Sequence, residues 1–120
     1  MVRAMREFLT EFKMGKLTWH VLTVSPNDAM LVDRTGQQRL ATTDPMTKCI
    51  YLSERLGGEM LRHVLIHELA HCVIVSYGYL EDIHKLTKKR YWVESEEWIC
   101  NIIANHSKEV LGIANDILGG

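Results

Sequence analysis

The sequence is short of charge imbalance, of paired cysteines and of long apolar runs, and each shortage removes a class of protein. Fourteen basic residues stand against 15 acidic ones in 120, so the uniform attraction behind most nucleic-acid binding is missing. The short Lys88-Lys89-Arg90 run does not replace it, and no nucleic-acid partner is expected. Cys49, Cys72 and Cys100 are odd in number, share no CxxC spacing and sit in apolar stretches. That pattern fits a reducing compartment with thiols used as small core residues. The longest stretch free of formal charge, Leu69 to Leu80, contains His71 and falls well short of the roughly 20 residues a membrane span needs. The opening MVRAMREFLTEFKMGK has neither an uninterrupted apolar stretch nor a small-residue cleavage site, and is expected to belong to a mature cytoplasmic protein.

What is present describes one domain over residues 1–120. A chain of this length buries roughly two-thirds of its unfolded surface, enough for a single core. Met5, Phe8, Leu9 and Phe12 recur at helical spacing before Gly15, which predicts a short amphipathic helix over residues 3–13. Trp19–Val24 and Ala29–Val32 are β-prone stretches around the turn Ser25-Pro26-Asn27-Asp28, which predicts a hairpin. Further short strands are expected at Gln38–Thr42 and Cys49–Leu52. After Gly57-Gly58 the period becomes helical from about Glu59 to Ser76, apolar over most of its circumference, so this helix is expected at the centre of the molecule. Residues 80–92 read as an irregular charged connector with room for one helical turn. A final helix is expected from about Val93 to Leu118, with Ile99, Ile102, Ile103, Val110, Leu111 and Ile117 turned inward. The predicted class is α+β: an N-terminal helix, a sheet of three or four strands, a central helix and a long C-terminal helix.

The chemistry lies in His67-Glu68-Leu69-Ala70-His71, inside the central helix. Residues four apart share a helical face, so both imidazoles can reach one ion at about 2.0–2.1 Å. Glu68 is turned about 100° from His67, too far round to be the obvious third ligand but close enough to accept a proton from water on the metal. This is the H-E-x-x-H arrangement of zinc peptidases. In an otherwise apolar helix such a trio is costly unless something coordinates or hydrogen-bonds it.

Catalytic zinc usually takes three protein ligands and keeps a position for water. Ile74 and Tyr77 occupy the places where a metzincin carries its glycine and third histidine, which excludes that class. Glu81-Asp82 lack the downstream tyrosine pattern of an aspzincin. A glutamate from Glu94-Ser95-Glu96-Glu97 remains. Glu96 shares the face of Ile99, Cys100 and Ile103, whereas Glu97 shares a small-residue face with Cys100, Asn101 and Ala104. Helical phase does not decide between them. His63, one turn before His67, reads as an ordinary histidine, His20, His84 and His106 as surface or packing positions, and Trp19, Trp92 and Trp98 as core or helix-packing residues.

The stretch LIHELAH, followed some 25 residues later by Glu97-Trp98-Ile99-Cys100-Asn101-Ile102-Ile103-Ala104, resembles the ImmA/IrrE-type metallopeptidases and the small phage-associated minimal gluzincins. Their second motif has the form E-x-x-A-N-x-F-A. The resemblance implies a zincin-like fold, one catalytic Zn2+ held by His67, His71 and Glu97, and Glu68 as the general base. It also implies a bacterial or phage-infected cytoplasm as the setting and a regulator as the substrate. The chain lacks that family's downstream Leu-Leu-x-Pro-like segment and its helix-turn-helix.

The expected activity is hydrolysis of peptide bonds in a narrow peptide or protein substrate, by a zinc-activated water whose proton passes to Glu68. With no second domain to wall the cleft, a homo-oligomer or a completing protein partner is the expected way to finish it. The competing expectation is a non-catalytic protein in which a closed zinc site, with a fourth ligand such as His63 or Glu96, ties two helices together.

Overall fold

In the computed structural model, which describes residues 6–119, the chain begins with a β-hairpin. Strand β1 (Arg6–Met14) pairs antiparallel with β2 (Leu17–Val24), and Gly15-Lys16 closes the turn with Gly15 at a left-handed φ of 61°. A Cβ at Gly15 would lie 3.3 Å from the Tyr77 ring, so glycine serves both the turn and its close approach to the next layer. The helix expected over residues 3–13 is therefore corrected: residues 6–13 are strand, and residues 3–5 lie outside the described residues. Phe12 and Met14 also fit a period of two, and the bulge between Phe8 and Thr10 absorbs Leu9 and turns Phe8 to the opposite face. The demand of β2 for a partner then decides between two periods that local spacing leaves equal.

The remaining strands are β3 (Ala41–Asp44) and β4 (Cys49–Ser53), and the sheet order is β1-β2-β4-β3. β4 runs parallel to β2 and antiparallel to β3. The hairpin expected between 19–24 and 29–32 does not form. Ala29–Leu31 is instead a 3-10 turn capped by Asp28, whose carboxylate accepts from the Met30 amide, and Val32 meets Gln38 only in an isolated bridge. That turn covers one sheet face, where Val24, Leu31 and Tyr51 are buried.

The other face carries Trp19, Val21, Ala41, Ile50 and Leu52 and is covered by helix α1 (Gly58–Ser76) through Leu61, Val64, Leu65, Leu69 and Cys72. The Trp19 indole donates to Ser76 Oγ at 2.9 Å, which ties the sheet to the end of α1. On its opposite side α1 buries Ala70 and Ile74 against Ile83 and Cys100. A helix between two layers must be apolar on both flanks, which accounts for its nearly continuous hydrophobic surface. No helix among the described residues is long and apolar enough to cross a membrane.

The connector expected at 80–92 contains helix α2 (Tyr79–Leu86) and a 3-10 turn at Lys89–Tyr91. The helix α2 presents Ile83 to the core, and His84 stacks on Trp92 at 3.7 Å. Helix α3 (Trp92–Ile117) matches the expected long C-terminal helix, but only its first half is packed inward. Against expectation, Val110, Leu111 and Ile117 are more than half exposed, as is Trp98, and Ile102 and Ile103 are exposed as well. Length explains the tail, since at about 1.5 Å per residue α3 is roughly 10 Å longer than α1.

Asp28 holds the first strand to the 3-10 turn: its buried carboxylate receives both Nε and Nη2 of Arg6 at 2.9 Å and the Met30 amide at 2.9 Å. The Arg6 hydrogen bonds, ahead of the backbone bond and against burial, hold its pKa below the usual 3.8. A depressed carboxyl contributes stability above its unfolded pKa and loses it as pH falls through the folded value. Asp28→Ala should cost about 2 kcal/mol near neutrality, and urea unfolding should show that deficit shrinking below about pH 4.

Candidate metal centre

Both histidines of the motif point from α1 toward α3, and they do so because Leu65, Leu69 and Cys72 occupy the sheet side of the same helix. Their Nε2 atoms lie 3.2 Å apart. Glu97, in the second turn of α3, brings one carboxylate oxygen to 3.2 Å from His67 Nε2 and the other to 3.0 Å from His71 Nε2. Among the described residues this is the one group of three or more potential ligands whose donor atoms all lie within 4.8 Å of one another. At about 2.0–2.1 Å per bond, the edge of a tetrahedral shell measures about 3.3 Å. The observed separations therefore suit one ion at the centre of the triad with little movement.

The choice between the two adjacent glutamates, open in the sequence, has a geometric answer. Glu97 joins the Nε2 pair, whereas Glu96 lies on the other side of His71, with Oε1 3.5 Å from Nδ1. Glu96 is buried, and its Oε2 accepts from Arg34 Nη2 at 2.9 Å. Successive residues on a helix are about 100° apart, so neighbouring carboxylates straddle one imidazole, one at its ligating nitrogen and one at its back. Arg34 was missed in the sequence, because nothing local marks an arginine 62 residues away as a partner of α3. His63 is exposed on α1 and is not in the group.

The electrostatics follow from this crowding. Burial works against charge on His71, but Cys100, Glu96 and Glu97 together raise its pKa well above the ordinary imidazole range. Glu97 is held far below the usual carboxylate range, by His67 first and His71 second. Burial pushes Glu96 upward, yet His71 and Arg34 outweigh it and leave it depressed. The triad is thus an anionic pocket in which a proton on His71 occupies the role a cation would take.

Glu68 sits apart from the three. It is buried, and Thr43 of β3 donates to its Oε1 at 2.8 Å. Burial raises its pKa, and the neighbouring histidines only partly offset this. The site opens on one side, since the Glu97 side chain is 43% exposed while those of His67 and His71 are 17% and 11% exposed.

Removing Glu97 should abolish ion binding. Titration of the metal-free protein with Zn2+ should show one site in the parent and at least about 100-fold weaker binding in Glu97→Ala. Because the ligands must be unprotonated when they bind a cation, uptake near neutral pH should release the proton of His71, measurable in weak buffer. Affinity should therefore rise with pH. A Glu97→Ala protein that binds Zn2+ like the parent would move the third ligand elsewhere. Comparison of the chain with family models, with curated proteins and with solved structures finds no match.

Proposed function

We propose that the chain is a zinc-dependent peptidase of the minimal gluzincin type. The observation that carries this reading is the triad His67, His71 and Glu97, converging from two helices with one side open to solvent, beside a separate buried carboxylate on Glu68. Two neutral imidazoles and one carboxylate form the donor set of catalytic zinc sites that leave a position for water. A zinc ion bound there would supply an acidified water and polarise a carbonyl oxygen.

The residues of the chain supply the rest. Thr43 occupies Oε1 of Glu68 and leaves Oε2 as the oxygen that takes a proton from the attacking water and returns it to the leaving amine. Burial keeps that carboxyl more basic than a surface glutamate, which suits a group that must both accept and donate near neutral pH. Strand β3, which carries Thr43, is the last strand of the sheet and is paired on one side only. An extended peptide can add to its free edge through backbone hydrogen bonds. A shallow site of this kind favours a narrow substrate over general digestion. The likeness of the two helical motifs to the ImmA/IrrE type supports a regulator protein in that role.

The rival reading, a closed zinc site tying two helices, calls for a fourth protein ligand. Glu96 is engaged at the back of His71 and His63 lies outside the group, so the arrangement favours an open site. The test is cleavage of a diverse peptide mixture, followed by mass spectrometry, for the zinc-loaded parent and Glu68→Gln. The variant should keep its zinc and lose about 100-fold to 10,000-fold in turnover. Equal cleavage by both proteins would remove Glu68 from the chemistry, and absence of cleavage by the zinc-loaded parent would favour the structural site.

A further inference from the structure

The loop between the 3-10 turn and β3 is organised far beyond what an exposed connection requires. Asp33 Oδ1 accepts from the amides of Thr35 and Gln37 at 2.8 and 3.0 Å, and from the Thr35 hydroxyl. Its Oδ2 accepts from Arg39 Nε at 2.6 Å. The backbone adds Gly36 N–H to the Asp33 carbonyl and Asp33 N–H to the Gln37 carbonyl, with Gly36 at a φ of 83°. An aspartate that closes its own turn in this way is a local motif that can fix a chain segment without a hydrophobic core.

The knotted loop delivers Arg34. Its Nη2 reaches Glu96 Oε2 at 2.9 Å, across 62 residues of sequence, although the arginine side chain is 65% exposed and that of Glu96 only 7%. Solvent screening at the arginine end limits what the pair contributes to folding, so stability alone does not explain the arrangement. Its position does. Glu96 has its second oxygen, Oε1, toward His71 Nδ1, and the other nitrogen of that ring faces His67 and Glu97. With Arg34 on Oε2, rotation of the carboxylate away from the imidazole breaks the Nη2–Oε2 hydrogen bond. With Arg34 absent, the buried Glu96 has only a 3.5 Å neighbour to hold it.

We propose that Arg34 is a positioning residue of the metal centre: presented by the Asp33 loop, it locks Glu96 so that Oε1 holds the Nδ1–H of His71 and keeps Nε2 turned to the ion. The proposal rests on reading His67, His71 and Glu97 as a metal site. Groups that orient a ligating histidine typically govern 10-fold to 100-fold in metal affinity.

The experiment is competition between the full-length protein and a chromophoric chelator for Zn2+, in the parent, Arg34→Ala, Arg34→Lys, Glu96→Gln and the Arg34→Ala/Glu96→Gln double variant. Thermal melting of each metal-free protein runs alongside. Arg34→Ala should bind Zn2+ about 10-fold more weakly and Glu96→Gln about 10-fold to 100-fold more weakly. The double variant should be no weaker than Glu96→Gln alone, because both act through one path. Arg34→Lys should recover part of the loss, and metal-free Arg34→Ala should melt within about 5 °C of the parent. Parent-like affinity in Arg34→Ala, or losses that add in the double variant, would overturn the positioning role while leaving the metal site intact. A parent that takes up no Zn2+ would overturn the site and this proposal together.

Discussion

Two imidazole nitrogens held 3.2 Å apart in a half-buried cleft, with a carboxylate at 3.0 and 3.2 Å, are the interaction on which this molecule turns. Lone pairs so placed repel unless a proton or a cation lies between them. Helix α1 is gripped by the sheet on one side and by α2 and α3 on the other, which fixes the backbone that carries both histidines.

Around the triad, each neighbour is held by a different element. The strand β3 contributes Thr43 to the Glu68 carboxylate, the Asp33 loop contributes Arg34 to Glu96, and α3 places Glu96 and Glu97 on opposite nitrogens of one ring. The two buried glutamates nearest the histidines therefore have opposite characters. Glu68, whose protein partners are few, is pushed toward the neutral form by burial, whereas Glu96, paired with a histidine and an arginine, stays anionic. Environment, not residue type, separates a carboxyl shifted toward its neutral form from a fixed charge.

Much of the site was legible in the sequence because its first half is local. The spacing of His67 and His71 is a property of any α-helix, and so is the inward face that Leu65, Leu69 and Cys72 secure. The α+β class and the long C-terminal helix were legible for the same reason. The N-terminal segment was not, because Phe8, Leu9 and Phe12 fit a helical period while Phe12 and Met14 fit a strand period, and only pairing with β2 chooses. The tail of α3 was misread through a related gap: Val110, Leu111 and Ile117 form an apolar stripe, but a stripe states what a helix can bury and not whether a neighbour is there.

Helical periodicity alone determined that two imidazoles share a face and that an acidic cluster opens the last helix, since such relations span a few residues and follow from 3.6 residues per turn. Which glutamate meets the histidines was left to the tertiary structure. Glu96 and Glu97 differ by about 100° around one axis, and only the crossing of α3 over α1 converts that angle into one carboxylate at Nε2 and another at Nδ1. The same holds for Arg34, whose meeting with Glu96 depends on a loop folding back across 62 residues, a distance over which no local pattern carries information.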